Sequence, residues 1–187
     1  MELREYVAQV SALLSKVPIS QVERAAEELW RAYREGRTIF ACGNGGSAAT
    51  ATHFVCDLVK VASVPGKPRI RAMALTDNIS TITAWANDEA YEVIFEEQLK
   101  NFLQPGDVVV GISTSGMSEN VLRAVDFARR SGATTIGLAG RDGGRLKDLV
   151  DIPIVVPGGH TGQLEDAHLI ICHAWAYWLK ERIEAEG

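Results

Sequence analysis

Apolar residues along this chain recur with two periods that take turns. Val7, Val10, Leu13 and Leu14, then Val22, Ala25, Leu29 and Tyr33, fall at helical spacing. They predict helices over 2–15 and 20–35, parted by Pro18. From there, short β-branched runs alternate with helical stretches. The runs predict strands at 38–42, 71–75, 107–112, 134–139 and 152–156. Between them the pattern predicts helices over 47–59, 79–86, 90–102, 118–131, 144–149 and 162–184. Alternation of this regularity implies right-handed βαβ units and a parallel sheet covered by helices on both faces. The expected fold is therefore α/β, a three-layer sandwich around a central five-stranded parallel sheet, flavodoxin- or Rossmann-like, with helices added at the N-terminus. No repeat, low-complexity tract or linker divides the chain, and its 187 residues suit one domain, 1–187.

Ligands of such sheets bind outside the carboxyl ends of the strands, and two unusual turns fall there. Gly111-Ile112-Ser113-Thr114-Ser115-Gly116-Met117-Ser118 follows a strand and opens a helix. A helix start offers unpaired N–H groups and a positive dipole end, so an anion sits well on it. Ser113, Thr114, Ser115 and Ser118 add hydroxyl donors without charge. The stretch reads as a phosphate cradle lacking the lysine of a Walker loop. Capping by Ser118 would account for one hydroxyl, not four. Cys42-Gly43-Asn44-Gly45-Gly46-Ser47 is a second such junction, where Gly45 and Gly46 admit close backbone approach and Asn44 and Ser47 supply polar groups. It does not match the dinucleotide pattern.

Candidate acid–base or metal chemistry lies on two helices. His53 and Asp57 are four residues apart and share a face. Glu165 and His173 lie on the last helix, eight residues apart, a net rotation of about 80°. Two imidazoles and two carboxylates suit a divalent metal or a proton-moving pair. The plainer alternative is separate surface pairs. His168 and His160 read as solvated or locally bonded. Asn87-Asp88 is either a turn with a cap or a contact for sugar hydroxyls. Trp30, Trp175, Tyr177 and Trp178 read as core or interface aromatics.

Composition removes some partners. The net charge of -5, with no dense Lys/Arg cluster, excludes a nucleic-acid surface. No apolar run approaches the ~20 residues that span a bilayer, so no membrane partner is expected. Three cysteines in apolar contexts give no disulfide framework, and MELREYVAQV has no signal-peptide pattern. A cytoplasmic protein is expected.

Read together, CGNGGS with its following His, ALTDN, PGDVV-GISTSG-S-NV, TIGL-GRDGG and the final His-bearing helix resemble a sugar isomerase (SIS) domain. More narrowly they resemble the phosphoheptose isomerase group, in unbroken order from about Ile39 to His173. The resemblance implies a homotetramer with active sites at subunit interfaces, packed partly through the helical pair 1–36. It implies conversion of sedoheptulose 7-phosphate to D-glycero-D-manno-heptose 7-phosphate for heptose precursors. Ser113, Thr114, Ser115 and Ser118 would hold the phosphate, while Asn44, Gly45, Gly46, Ser47, Glu165 and nearby Asp88 would line the sugar. His53 and His173, with Asp57 and Glu165, would bind one Zn2+ per site. Asp57 or Glu165 would move the proton next to the carbonyl, and His173 the one on oxygen. Four positions depart from the group: Asp57 replaces Glu, Glu165 replaces Gln, Gly162 replaces an acid, and Val61 replaces Arg beside Lys60. Those departures leave two alternatives, an isomerase of another phosphosugar and a non-catalytic SIS regulator of the kind that binds the replication initiator.

Overall fold

A computed structural model describes residues 2–186. Five strands, β1 (Thr38–Gly43), β2 (Arg71–Ala74), β3 (Val108–Ser113), β4 (Thr134–Gly140) and β5 (Ile152–Val156), form one all-parallel sheet in the order β2-β1-β3-β4-β5. This is the flavodoxin-like order, and the chain reverses its direction of travel across the sheet between β1 and β3. A crevice opens there, and both glycine-rich turns border it.

Alternation along each strand decides which helices cover which face. Ile39 and Ala41 of β1, with Val108, Val110 and Ile112 of β3, join a core completed by α1 (Leu3–Leu14), α2 (Ile19–Arg34), α3 (Gly46–Lys60) and α8 (Thr161–Ala185). Phe40, Cys42 and Val109 point the other way, to α5 (Glu96–Phe102), α6 (Glu119–Arg130) and α7 (Leu146–Leu149). The leading helices are part of this body. Ala25, Ala26, Leu29, Ala32 and Tyr33 of α2 are buried with the strands.

Two helices differ from the periodic reading. The stretch 90–102 breaks into a single 3-10 turn, Tyr91–Val93, and α5. Val93, Ile94 and Phe95 are all buried. Three consecutive core residues cannot share one helical stripe, so the chain turns to plug all three inward. The last segment before β5 becomes helical only at Leu146, because Gly143 and Gly144 take positive φ. Between β2 and the 3-10 turn, α4 (Ile79–Asp88) buries none of its residues.

The turn after β3 is held by interlocking backbone. Gly116 has φ 64°, and a Cβ there would run into the Gly143 carbonyl. The amide of Leu146 donates to the Gly116 carbonyl at 3.0 Å. The hydroxyl loop is thus clamped by the turn that follows β4.

Candidate active site

The cradle forms as a chain of hydroxyls. Ser113 Oγ lies 3.0 Å from Ser118 Oγ and 3.4 Å from Ser115 Oγ, and the Met117 amide donates to Ser115 Oγ at 3.2 Å. Ser118 occupies the N-cap position of α6 by backbone, yet its hydroxyl makes no capping bond to that helix. The cap therefore does not consume it. Nearby arginines are engaged elsewhere, Arg123 with Glu96 at 2.9 Å and Arg145 with Glu119 at 2.7 Å. Rotatable hydroxyls and a helix dipole are what the loop offers an anion.

The two turns are tied by a reciprocal amide pair. Asn44 Nδ2 donates to Asn120 Oδ1 at 2.8 Å, and Asn120 Nδ2 returns a bond to Asn44 Oδ1 at 2.9 Å. Tyr91 Oη also donates to Asn44 Oδ1, at 2.9 Å. The Asn44 oxygen is thereby filled, which leaves one amide hydrogen for a ligand. Asn120 and Tyr91 carry this join, and neither is among the residues the sequence singles out. An Asn two residues after Ser118, inside the GISTSG-S-NV stretch, is the sequence signal at Asn120, which the structure buries.

Glu165 and the histidines occupy different levels of the α3–α8 pair. The Glu165 carboxylate lies over Gly46, where any Cβ would overlap its Cδ and both oxygens. It thus stands at the start of α3 beside Ser47, which is buried, and after Gly45, the positive-φ N-cap of α3. Further along the same helices, His53, Asp57 and His173 converge. Their Nε2 atoms are 3.2 Å apart, and Asp57 Oδ2 is 3.6 Å from His53 Nε2 and 3.5 Å from His173 Nε2. Of the four-residue set, three meet and Glu165 does not. Eight helical residues rise about 12 Å, so a shared stripe does not bring two side chains to one point.

That triangle suits a metal. Donors held at 2.0–2.1 Å in a tetrahedron lie about 3.3 Å from one another, close to the three edges seen here. Two imidazoles and a carboxylate are the donor types zinc takes. The Asp57 side chain is 10% exposed, whereas His53 and His173 are 49% and 40% exposed. The cluster therefore opens outward to solvent.

Other candidates separate from the site. Asp88 ends α4, exposed, and its carboxylate accepts from Asn87 Nδ2 at 2.8 Å. Among the described residues it bonds to no other member of the crevice. His160 caps α8 in a capping box with Gln163. The space of Gly162 is bounded by the Tyr6 hydroxyl, whose own bond goes to Asp166 Oδ2 at 2.6 Å. That bond raises the Tyr6 pKa, with burial and the Asp166 and Glu165 charges adding to it. Trp175 is core and Tyr177 is exposed. Burial pushes the Cys42 thiol up to about 12 and that of Cys172 higher still, the Asp57 charge adding to the latter. Neither is a nucleophile at neutral pH.

His168 is fully buried, with its Nε2 3.2 Å from the Ala139 carbonyl and its Nδ1 without a partner among the described residues. The carbonyl only accepts, so Nε2 carries the proton and Nδ1 is a bare acceptor, at a cost of about 1–3 kcal/mol. Burial lowers its pKa from 6.5 to about 4, against a smaller raising effect of the bond to Ala139. The unfolded chain therefore binds this proton more tightly than the native state. Stability from this group is complete above about pH 6.5 and declines as pH falls toward 4. Urea unfolding of wild type and His168→Gln at pH 7.5 and 4.5 isolates it. The wild type is expected to lose about 2–3 kcal/mol more than the variant between those values. Equal losses would show that His168 is not buried neutral.

A parallel sheet with a hydroxyl-lined helix start at the switch point, and a His–Asp–His cluster on the covering helices, defines an α/β class suited to an anion beside a metal or acid–base group. The family model described as SIS domain matches residues 5–140, and the chain belongs to that family. It is 44% identical over 156 residues to the phosphoheptose isomerase of Crocosphaera subtropica, covering 83% of this chain and 77% of the relative. It is 46% identical over 142 residues to the phosphoheptose isomerase of a Nitratiruptor species, covering 76% and 75%. The solved structure of phosphoheptose isomerase from Neisseria gonorrhoeae superposes with a TM-score of 0.85 at 33% identity, covering 96% of this chain and all of that one.

Proposed function

We propose that this chain is a phosphoheptose isomerase, converting sedoheptulose 7-phosphate to D-glycero-D-manno-heptose 7-phosphate for heptose precursors. The observation that carries the reading is the His53–Asp57–His173 triangle in a chain whose other end of the site is a cation-free hydroxyl cradle. Ser113, Thr114, Ser115 and Ser118 hold the phosphate, so its binding energy orients the distant carbons. Asn44, Ser47 and Glu165 face the sugar chain. Asp57 moves the proton between the two carbons that exchange carbonyl character, and His173, 3.5 Å away, moves the one between their oxygens. Zinc held by His53, Asp57 and His173 would draw electron density from the carbonyl and so acidify the adjacent carbon, leaving the atoms turned away from the triangle, Asp57 Oδ1 and His173 Nδ1, for proton transfer.

The same reading makes the protein a cytoplasmic homotetramer. Supporting it, Ile170, His173 and Tyr177 share one stripe of α8, and both Ile170 and Tyr177 are exposed. A second copy over that stripe would cover the open side of the cluster and exclude water from it, with the helical pair 1–36 providing further packing surface. Among the described residues no helix is long and apolar enough to cross a membrane.

Turnover followed by NMR tests the assignment. Metal-stripped protein is expected to leave sedoheptulose 7-phosphate unchanged, and added Zn2+ to restore the aldoheptose phosphate. Saturable binding of the sugar phosphate without conversion, zinc present, would overturn it.

A further inference from the structure

Helix α8 carries both Glu165 and His173, and its placement along its own axis fixes where each stands. Most of its buried face, including Leu164, Ala167, Ile171, Cys172, Ala176 and Leu179, is apolar and packs without direction. Its polar ties to other helices run to α1, through Gln163 to Gln9 and Asp166 to Tyr6, to α2, through Trp175 to the Val22 carbonyl and Arg182 to Glu27, and to α3, through the half-exposed His173 to His53 and Asp57. Among the described residues, the bond from His168 to Ala139 is the one hydrogen bond between α8 and a strand. It ends at an informative place. Ala139 is in register with Ser113, the first hydroxyl of the cradle. The next residue, Gly140, has no room for a side chain, being filled by Leu164 of α8 and by the Thr114 carbonyl of the cradle loop.

A leucine or phenylalanine at 168 would satisfy the core without stranding a bare Nδ1. The one thing His168 provides that an apolar side chain would not is its N–H on the Ala139 carbonyl, beside the cradle. We infer that His168 is a positioning residue: its bond to Ala139 sets the level of α8 against the cradle, so that Glu165 and His173 meet a sugar whose phosphate is already anchored. The inference rests on the isomerase reading for its kinetic consequence, but not for its structural one.

Two variants separate donor from bulk. His168→Phe keeps a ring and removes the N–H, whereas His168→Gln keeps a neutral N–H donor. With sedoheptulose 7-phosphate and Zn2+, His168→Phe is expected to lose roughly 10- to 100-fold in kcat with KM within about threefold, and His168→Gln to recover most of it. Wild-type kcat in His168→Phe, or equal loss in both variants, would overturn the inference. A second readout needs no turnover. Inorganic phosphate is expected to slow amide hydrogen exchange across residues 164–173 in wild type and His168→Gln, but not in His168→Phe. Absence of that protection in the wild type also overturns it. Protection in a wild type that does not turn over the heptose phosphate would sink the isomerase reading alone. Should His168→Phe fail to fold, the comparison moves to His168→Leu with the same expectations.

Discussion

Asp57→Asn is expected to reduce isomerase turnover at least about 10³-fold while leaving affinity for inorganic phosphate within about twofold. Asp57 is the best-enclosed member of the triangle, with its Oδ2 against both imidazoles. Replacing one oxygen by an amide removes the negative charge at nearly constant volume. It removes the proton acceptor and weakens any cation there, since an amide is a poor ligand for zinc. The cradle stands on different elements, the end of β3 and the start of α6, and has no reason to change. Steady-state kinetics with phosphate competition checks both halves at once. An Asp57→Asn enzyme with near-normal kcat would remove Asp57 from the chemistry.

Gly46→Ala is expected to lower kcat/KM roughly 10²-fold with little change in the unfolding midpoint. Gly46 is the first residue of α3 and is not among the positive-φ glycines, so alanine suits its backbone. What the new methyl meets is the Glu165 carboxylate, the far end of a flexible side chain. Glu165 must swing away, and a charged hydrogen bond to substrate is worth about 1.5–3 kcal/mol. Urea unfolding alongside kinetics discriminates. A large drop in stability would mean that Glu165 is wedged rather than displaceable, and unchanged kinetics would mean that it does not face the sugar.

The parts of this molecule that local chemistry dictates were legible from residues alone. Strand, glycine-rich turn and helix follow one another at 38–60 and 108–130 because β-branched runs, turn residues and helical spacing are local signals. Four hydroxyls in six positions are more than a cap requires, and the Ser118 hydroxyl bonds to Ser113 rather than capping α6. His53 and Asp57 were readable as a pair because four residues are one turn. That His173 joins them depends on how α3 and α8 pack, which no local pattern encodes. Glu165 was grouped with them through rotation alone, whereas the rise of the helix separates the two levels. His168 looked like any helical histidine. The 140° between it and His173 puts one against the sheet and the other toward solvent.

The hydroxyls of the cradle, unlike guanidinium or ammonium groups, can serve either ionisation state of a phosphate, while the dipole of α6 favours the more charged one. Each serine or threonine hydroxyl rotates to donate to a phosphate oxygen or to accept from a P–OH. The second ionisation of a phosphate ester falls near pH 6. Across it the hydroxyls keep their partners, and only the pull of the helix dipole weakens. A phosphate ester anchored there is therefore expected to stay bound through mild acidification.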